Sequence, residues 1–170
     1  MVWSLPLLTV LGAVGGWIVF SIWNEEVGRV AVEEDKVRVD TKVTSAEFSR
    51  QEIAQIFMDK DELVLTDGGS RELSRTGSDS ALAARLAEAF AAFGYPWEGA
   101  EDPRETEFVE WADRSGALEE PVHALLRARR RALSDVKAGE AESLREQLAE
   151  RGVVVRDRGD KQQCRLLPAA

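Results

Sequence analysis

From Trp3 to Trp23 the chain reads WSLPLLTVLGAVGGWIVFSIW, apolar or small throughout. At about 1.5 Å per residue these 21 residues make roughly 31 Å of helix, the depth of a bilayer core. One transmembrane helix is therefore predicted within residues 1–24. Trp3, Trp17 and Trp23 lie toward the ends, where indoles favour the water interface, and Pro6 falls in the first turns, where a missing N–H matters least. A cleaved signal peptide would need a basic start, a shorter apolar stretch and a small-x-small site, and this segment has none of them. Gly12 and Gly16 form a GxxxG pair, which predicts a homodimer contact between two such helices.

The period then shortens to two. In GRVAVEEDKVRVDT, Val30 and Val32 alternate with polar neighbours, EEDK interrupts, and Val37 and Val39 resume, the pattern of two strands around a turn. IAQIFMD and LVLTDGGSREL continue it, with Asp67-Gly68-Gly69 as the turn before another short strand. From Ser78 the period lengthens: Leu82, Leu86, Phe90 and Phe93 fall on one helical face, Ser78 or Ser80 can cap the start and Gly94 stops it. Residues 25–97 thus predict an antiparallel β-barrel closed by a helix. Residues 98–121 are acidic and broken by proline and glycine, with Phe108, Val109 and Trp111 available for burial; they predict a short helix flanked by loops.

Pro121 opens a further helix, VHALLRARRRALSDVK, and ESLREQLAERG makes another that ends at Gly152. Leu125, Leu126 and Leu133 can meet Leu144 and Leu148, so residues 122–170 predict a helical hairpin followed by an extended tail.

Charge changes this picture because it is segregated. The net charge is -9, yet the first 24 residues carry no charged side chain, and residues 122–170 hold 11 basic against 7 acidic residues. Arg29, Lys36, Arg38 and Lys42 follow the apolar segment, so the positive-inside rule places the protein at the cell membrane with its C-terminal part cytoplasmic. The lone Cys164 agrees with a reducing compartment. One cysteine and one histidine supply no disulfide and no Cys/His metal cage, so neither metal nor cofactor is expected. The 11 basic and 24 acidic residues of 24–121 would repel an anionic lipid head group.

Two resemblances follow from these residues. The run IAQIFMDKDELVLTDGGSRELSR, its helix and FGYPW resemble the PH-like domain of YqeB-like bacterial membrane proteins. That resemblance implies two membrane helices ahead of the domain, of which this chain supplies one. The C-terminal stretch resembles the anticodon-binding domain of cysteinyl-tRNA synthetases, on Leu144 with Arg145, Leu148, Gly152, Val153, Val155, Asp157 and Gly159. Where that motif has tryptophan before its arginine, this chain has Cys164 before Arg165, and a thiol does not replace an aromatic stacking platform.

The expected fold class is a membrane-anchored α+β protein: one N-terminal transmembrane helix, a PH-like antiparallel β-barrel closed by a helix, and a C-terminal helical hairpin domain. His123 and Cys164 lack an orienting third group and an oxyanion loop, so they read as a surface histidine and an inert thiol, and no catalytic residue is expected. Arg127, Arg129, Arg130, Arg131, Arg145 and Arg165 are the candidate RNA- or phosphate-binding residues. Their counterpart is the acidic segment 98–120 of the same chain, an RNA, or anionic lipid. The expected function is a non-enzymatic, membrane-anchored adaptor or scaffold with a protein partner. The alternative is a membrane-tethered protein that binds tRNA or a related RNA.

Overall fold

The structure is a computed structural model that describes residues 20–24 and 28–168. The alternating valines form the centre of a four-stranded meander of β1 (Phe20–Asn24), β2 (Gly28–Val32), β3 (Lys36–Asp40) and β4 (Ser45–Ser49), antiparallel throughout. A second sheet follows from β5 (Gln55–Asp59), β6 (Glu62–Thr66) and β7 (Glu72–Gly77), and β8 (Trp97–Gly99) adds to β5 in parallel, giving the order β7-β6-β5-β8. The Asp67 carboxylate sets the β6–β7 turn by accepting from the N–H groups of Gly69 (2.8 Å) and Arg71 (2.9 Å), as expected for an Asx turn. Between β7 and β8, Asp79 caps a short 3-10 turn (Ser80–Leu82) that runs into α1 (Ala83–Ala92), and Gly94 leaves it at φ +66°.

Alternation brings Val30, Val32, Val37 and Val39 of the first sheet onto the same core as Ile56, Met58, Leu63 and Leu65 of the second, with Leu86 and Phe90 of α1 between them. Phe90 stacks on Trp97 at 5.9 Å. Arg50 fastens the helix end to the first sheet by donating to the Phe93 and Gly94 carbonyls.

The second lobe begins with a 3-10 turn (Glu105–Glu107) and β9 (Val109–Glu110). Then come α2 (Glu120–Ser134), α3 (Ala138–Glu150), β10 (Val153–Arg158) and β11 (Lys161–Leu166), with a sheet of order β10-β11-β9. Trp111, Val122, Leu126, Leu148, Val153, Val155 and Cys164 make its separate apolar core.

The expected fold class is corrected on three points. First, Phe20–Asn24 is a strand paired with β2, so the helix predicted to run through Trp23 does not form there, and residues 3–19 of that span lie outside the described residues. Among the described residues no helix is long and apolar enough to cross a membrane, and the longest, α2, has 15 residues where a span needs about 20. The Gly12 and Gly16 pair also lies outside the described residues. Second, among the described residues no closed barrel forms: β1 to β8 make two four-stranded sheets whose inner faces share a core. Third, the C-terminal region is more than a helical hairpin, because its tail folds into the β10–β11 hairpin and Val109–Glu110 joins that sheet. The helix expected in residues 98–121 is a single 3-10 turn. The fold is thus α+β, three sheets and three α-helices among the described residues.

Candidate functional site: an arginine–carboxylate seam and an apolar groove

Strand β10 reads VVVRDR, and its first four residues are all buried, the mark of a strand covered on both faces. Val153 and Val155 point into the second core. Arg156 and Arg158, on the other face, reach across to Asp59 at the end of β5. The same alternation operates in β5: Ile56 and Met58 enter the first core, and Phe57 and Asp59 are left facing the second lobe.

The resulting seam is a buried lattice of charges. Asp59 is 2 % exposed and is approached by Arg75 at 2.8 Å, by Arg156 at 3.1 Å and by Arg158. Arg75 also holds Glu62 (2.6 Å) and Glu72 (2.7 Å). Arg156, 1 % exposed, reaches Glu105 at 2.6 Å and lies 3.8 Å over the Phe108 ring. Burial pushes the Asp59 carboxyl up, but Arg75, Arg156 and Arg158 outweigh it and leave the group below the usual carboxylate range. Asp102 goes the other way: burial, aided by the neighbouring Asp59 charge, raises it against the Arg104 N–H that caps it. Asp59, Asp102 and Glu105 bring carboxylate oxygens close enough for a cation, yet Arg75, Arg156 and Arg158 already supply the positive charge there.

The six candidate arginines are not brought to one surface. Arg127 pairs with Asp113 (2.7 Å) and Glu120 (2.5 Å). Arg129 is buried, forked onto Asp157 at 2.9 and 2.6 Å and bonded to Gln162 at 2.8 Å. Arg145 is buried against Glu142 (2.6 Å) and Glu72 (3.8 Å). Arg165 is buried and donates to the Ser70 carbonyl at 2.6 Å. Arg130 is exposed and lies 5.0 Å over the Trp111 ring, and Arg131 is exposed.

His123 is buried, in contrast to the surface position expected for it. Its Nδ1 accepts from Trp111 Nε1–H at 3.0 Å and its Nε2 lies 3.0 Å from the Ser115 carbonyl. A donor on one side and an acceptor on the other fix the neutral, Nε2-protonated tautomer. The Cys164 thiol is pushed up to about 12 by burial, which keeps it protonated and a poor nucleophile.

Trp111 and Cys164 also line a groove of about 500 Å³ beside β9 and β11, together with Val109, Ala112, Leu118 and Leu166. At its mouth Val109 is 68 % and Leu166 58 % exposed. Neither seam nor groove was expected from the sequence. The signal available for the seam was the continuous VVVR run of β10, which marks a strand buried on both faces, one of them carrying arginines.

Comparisons with known proteins bear on both lobes. The family model described as cysteinyl-tRNA ligase anticodon binding domain matches residues 115–165. The uncharacterized protein YqeB of Bacillus subtilis (strain 168) is 37 % identical over 111 residues, 65 % of this chain and 46 % of that protein. The chain thus spans about half the length of that relative. No solved structure gives a significant match. The family model described as YqeB-like bacterial PH domain matches residues 1–98, more than half of the chain, and the chain belongs to that family.

Proposed function

We propose that this protein is a non-enzymatic adaptor that binds a protein partner through the groove beside β9 and β11. The observation that carries the reading is the mouth of the groove, where Val109 and Leu166 stand exposed beside buried Trp111 and Cys164. An apolar concavity with exposed apolar edges suits a protein surface. His123 and Cys164, the nucleophile–base pair weighed in the sequence, are engaged or protonated, which supports a binding role over turnover through that pair. The alternative of RNA binding is weakened because Arg127, Arg129 and Arg145 face carboxylates of their own chain and Arg165 is buried. A positive phosphate track needs free, clustered cations, and of the six candidates Arg130 and Arg131 are the exposed ones.

The test is a photo-crosslinking phenylalanine analogue placed at Val109 of the full chain in cells, with the exposed Val43 as control position. Protein adducts from position 109 that exceed those from 43 and disappear with Leu166→Glu are expected. Adducts that are nuclease-sensitive, or equal at the two positions, would reject the adaptor reading.

A further inference from the structure

One wall of the groove hangs on a single buried histidine. Trp111, Ala112, Ser115, Ala117 and Leu118 of the groove lining belong to the segment between β9 and α2, which consists of turns. Both hydrogen-bond partners of His123 lie in that segment and line the groove: Trp111 Nε1–H donates to Nδ1, and the Ser115 carbonyl accepts from Nε2–H, each at 3.0 Å. His123 itself is 2 % exposed and sits in the first turn of α2. Its ring therefore pins a stretch of turns to a helix.

The pin works in one protonation state. A neutral imidazole accepts at Nδ1 and donates at Nε2, whereas an imidazolium donates from both nitrogens. On protonation Nε2–H keeps the Ser115 carbonyl, but Nδ1–H faces the Trp111 indole N–H, a donor against a donor. An acceptor stands within reach: Asp113 Oδ1 lies 3.8 Å from Nδ1, beyond hydrogen-bond distance for the neutral ring.

The other charges about the ring come from both elements that enclose it. In the turns, Asp113 is held by Arg127 of α2 at 2.7 Å and has Arg114 next along the chain, while Arg130 of α2 lies 5.0 Å over the Trp111 ring. On α2, Glu120 pairs with Arg127, and Arg129 is matched by Asp157 of β10; the helix N-terminus adds positive potential. The adjoining core presents Leu126, Val153, Val155 and the protonated Cys164. Among the described residues Asp113 is the carboxylate within 4.0 Å of the ring.

We propose that protonation of His123 releases Trp111 and dismantles the groove, so that the adaptor holds its partner near neutral pH and lets go on acidification. This rests on the groove being the protein-binding site and adds its regulation. One proton is taken up at Nδ1, the Trp111 hydrogen bond is lost, and Nδ1–H turns to Asp113. A partner that needs Trp111 in place binds the neutral form, so partner and proton oppose each other reciprocally.

The test is NMR of the full chain labelled isotopically at histidine and tryptophan, read from about pH 8 to about pH 5, where histidine changes charge. The chain has one histidine, and the Trp111 indole is assigned by its absence in Trp111→Phe. The ring is expected to protonate while the protein stays folded. At the same midpoint the Trp111 indole N–H should lose its hydrogen-bonded shift and its slow exchange with water. His123→Asn, which puts a non-titrating amide at the Nδ1 position, should leave that signal unchanged across the range. A ring that stays neutral until the protein unfolds, or an indole signal indifferent to ring protonation, would overturn the switch. The second readout is adduct yield from the crosslinking residue at Val109 in buffered extract. It should fall about fivefold or more through the same midpoint in wild type and hold steady in His123→Asn; equal loss in both would overturn the regulation. Absence of adducts at every pH would remove the adaptor reading, and the indole signal alone would then decide whether His123 switches the groove.

Discussion

Strand β5 presents two faces that are both buried but by different means. Ile56 and Met58 meet Leu63, Leu65 and Phe90 in an apolar core. Phe57 and Asp59, one residue along, lie under the second lobe, where Asp59 is enclosed by Arg75, Arg156 and Arg158. The apolar face gains stability from area removed from water, and neighbouring residues can substitute for one another there. The charged face gains little net stability from its ion pairs, because desolvation offsets attraction, but losing one partner strands the other. The first face thus holds the PH-like lobe together, and the second fixes where the C-terminal lobe sits on it.

The largest expected effect breaks the apolar face. Phe90 is fully buried, stacked on Trp97 and edge-on to Tyr95 at 5.8 Å, so Phe90→Ala should lower unfolding stability by about 3–5 kcal/mol in urea titrations. That loss should be the same at any pH where the protein is folded.

Asp59→Asn should destabilise by about 3 kcal/mol near neutral pH, because the guanidinium groups of Arg75, Arg156 and the partly buried Arg158 lose a counter-charge. Its pH dependence sharpens the contrast. The folded carboxyl titrates below its unfolded value, so its contribution is present above about pH 4 and is lost as pH falls through the folded value. The gap between wild type and Asp59→Asn should therefore shrink on acidification. Asp102 titrates above its usual range, so its charge opposes folding once pH exceeds the unfolded value. Asp102→Asn should consequently be close to neutral, or stabilising, at pH 7 in the same titrations. Equal losses for the two asparagine variants would contradict the charge assignment.

A smaller effect concerns the second lobe. Trp111→Phe keeps most of the ring but removes the donor to His123 Nδ1, leaving a buried acceptor unpaired, and should cost about 1–3 kcal/mol by urea unfolding.

Elements set by period were legible in the sequence. The valine alternation of β2 and β3, the Asp67 turn, the Leu82–Phe93 stripe of α1 and the proline start of α2 stand where the pattern puts them. What escaped the pattern depended on tertiary partners. The acidic run between 98 and 120 predicts a short helix flanked by loops, but Asp102 is buried because Arg156 and Arg75 come to it from distant strands. The arginines of α2 read as one basic face, yet a helix turns 100° per residue, so Arg129 points inward to Asp157 and Arg127 sideways to Asp113. Leu133, counted toward the hairpin core, is instead exposed at its tip. Charge sums carry no direction, and direction decides which arginines can meet a ligand.

Arg129, Arg145 and Arg165 are buried within the fold and Arg127 is paired with Asp113 and Glu120, which is why a protein partner at the groove is proposed in place of RNA. The most direct measurement is a titration of fluorescent tRNA into the full chain at low and at physiological salt, beside an Arg130→Ala/Arg131→Ala variant. No saturable binding is expected, and no difference between wild type and variant at either salt concentration. Tight, saturable binding that falls steeply with salt and is lost in the variant would contradict that proposal and return the C-terminal lobe to an RNA-binding role.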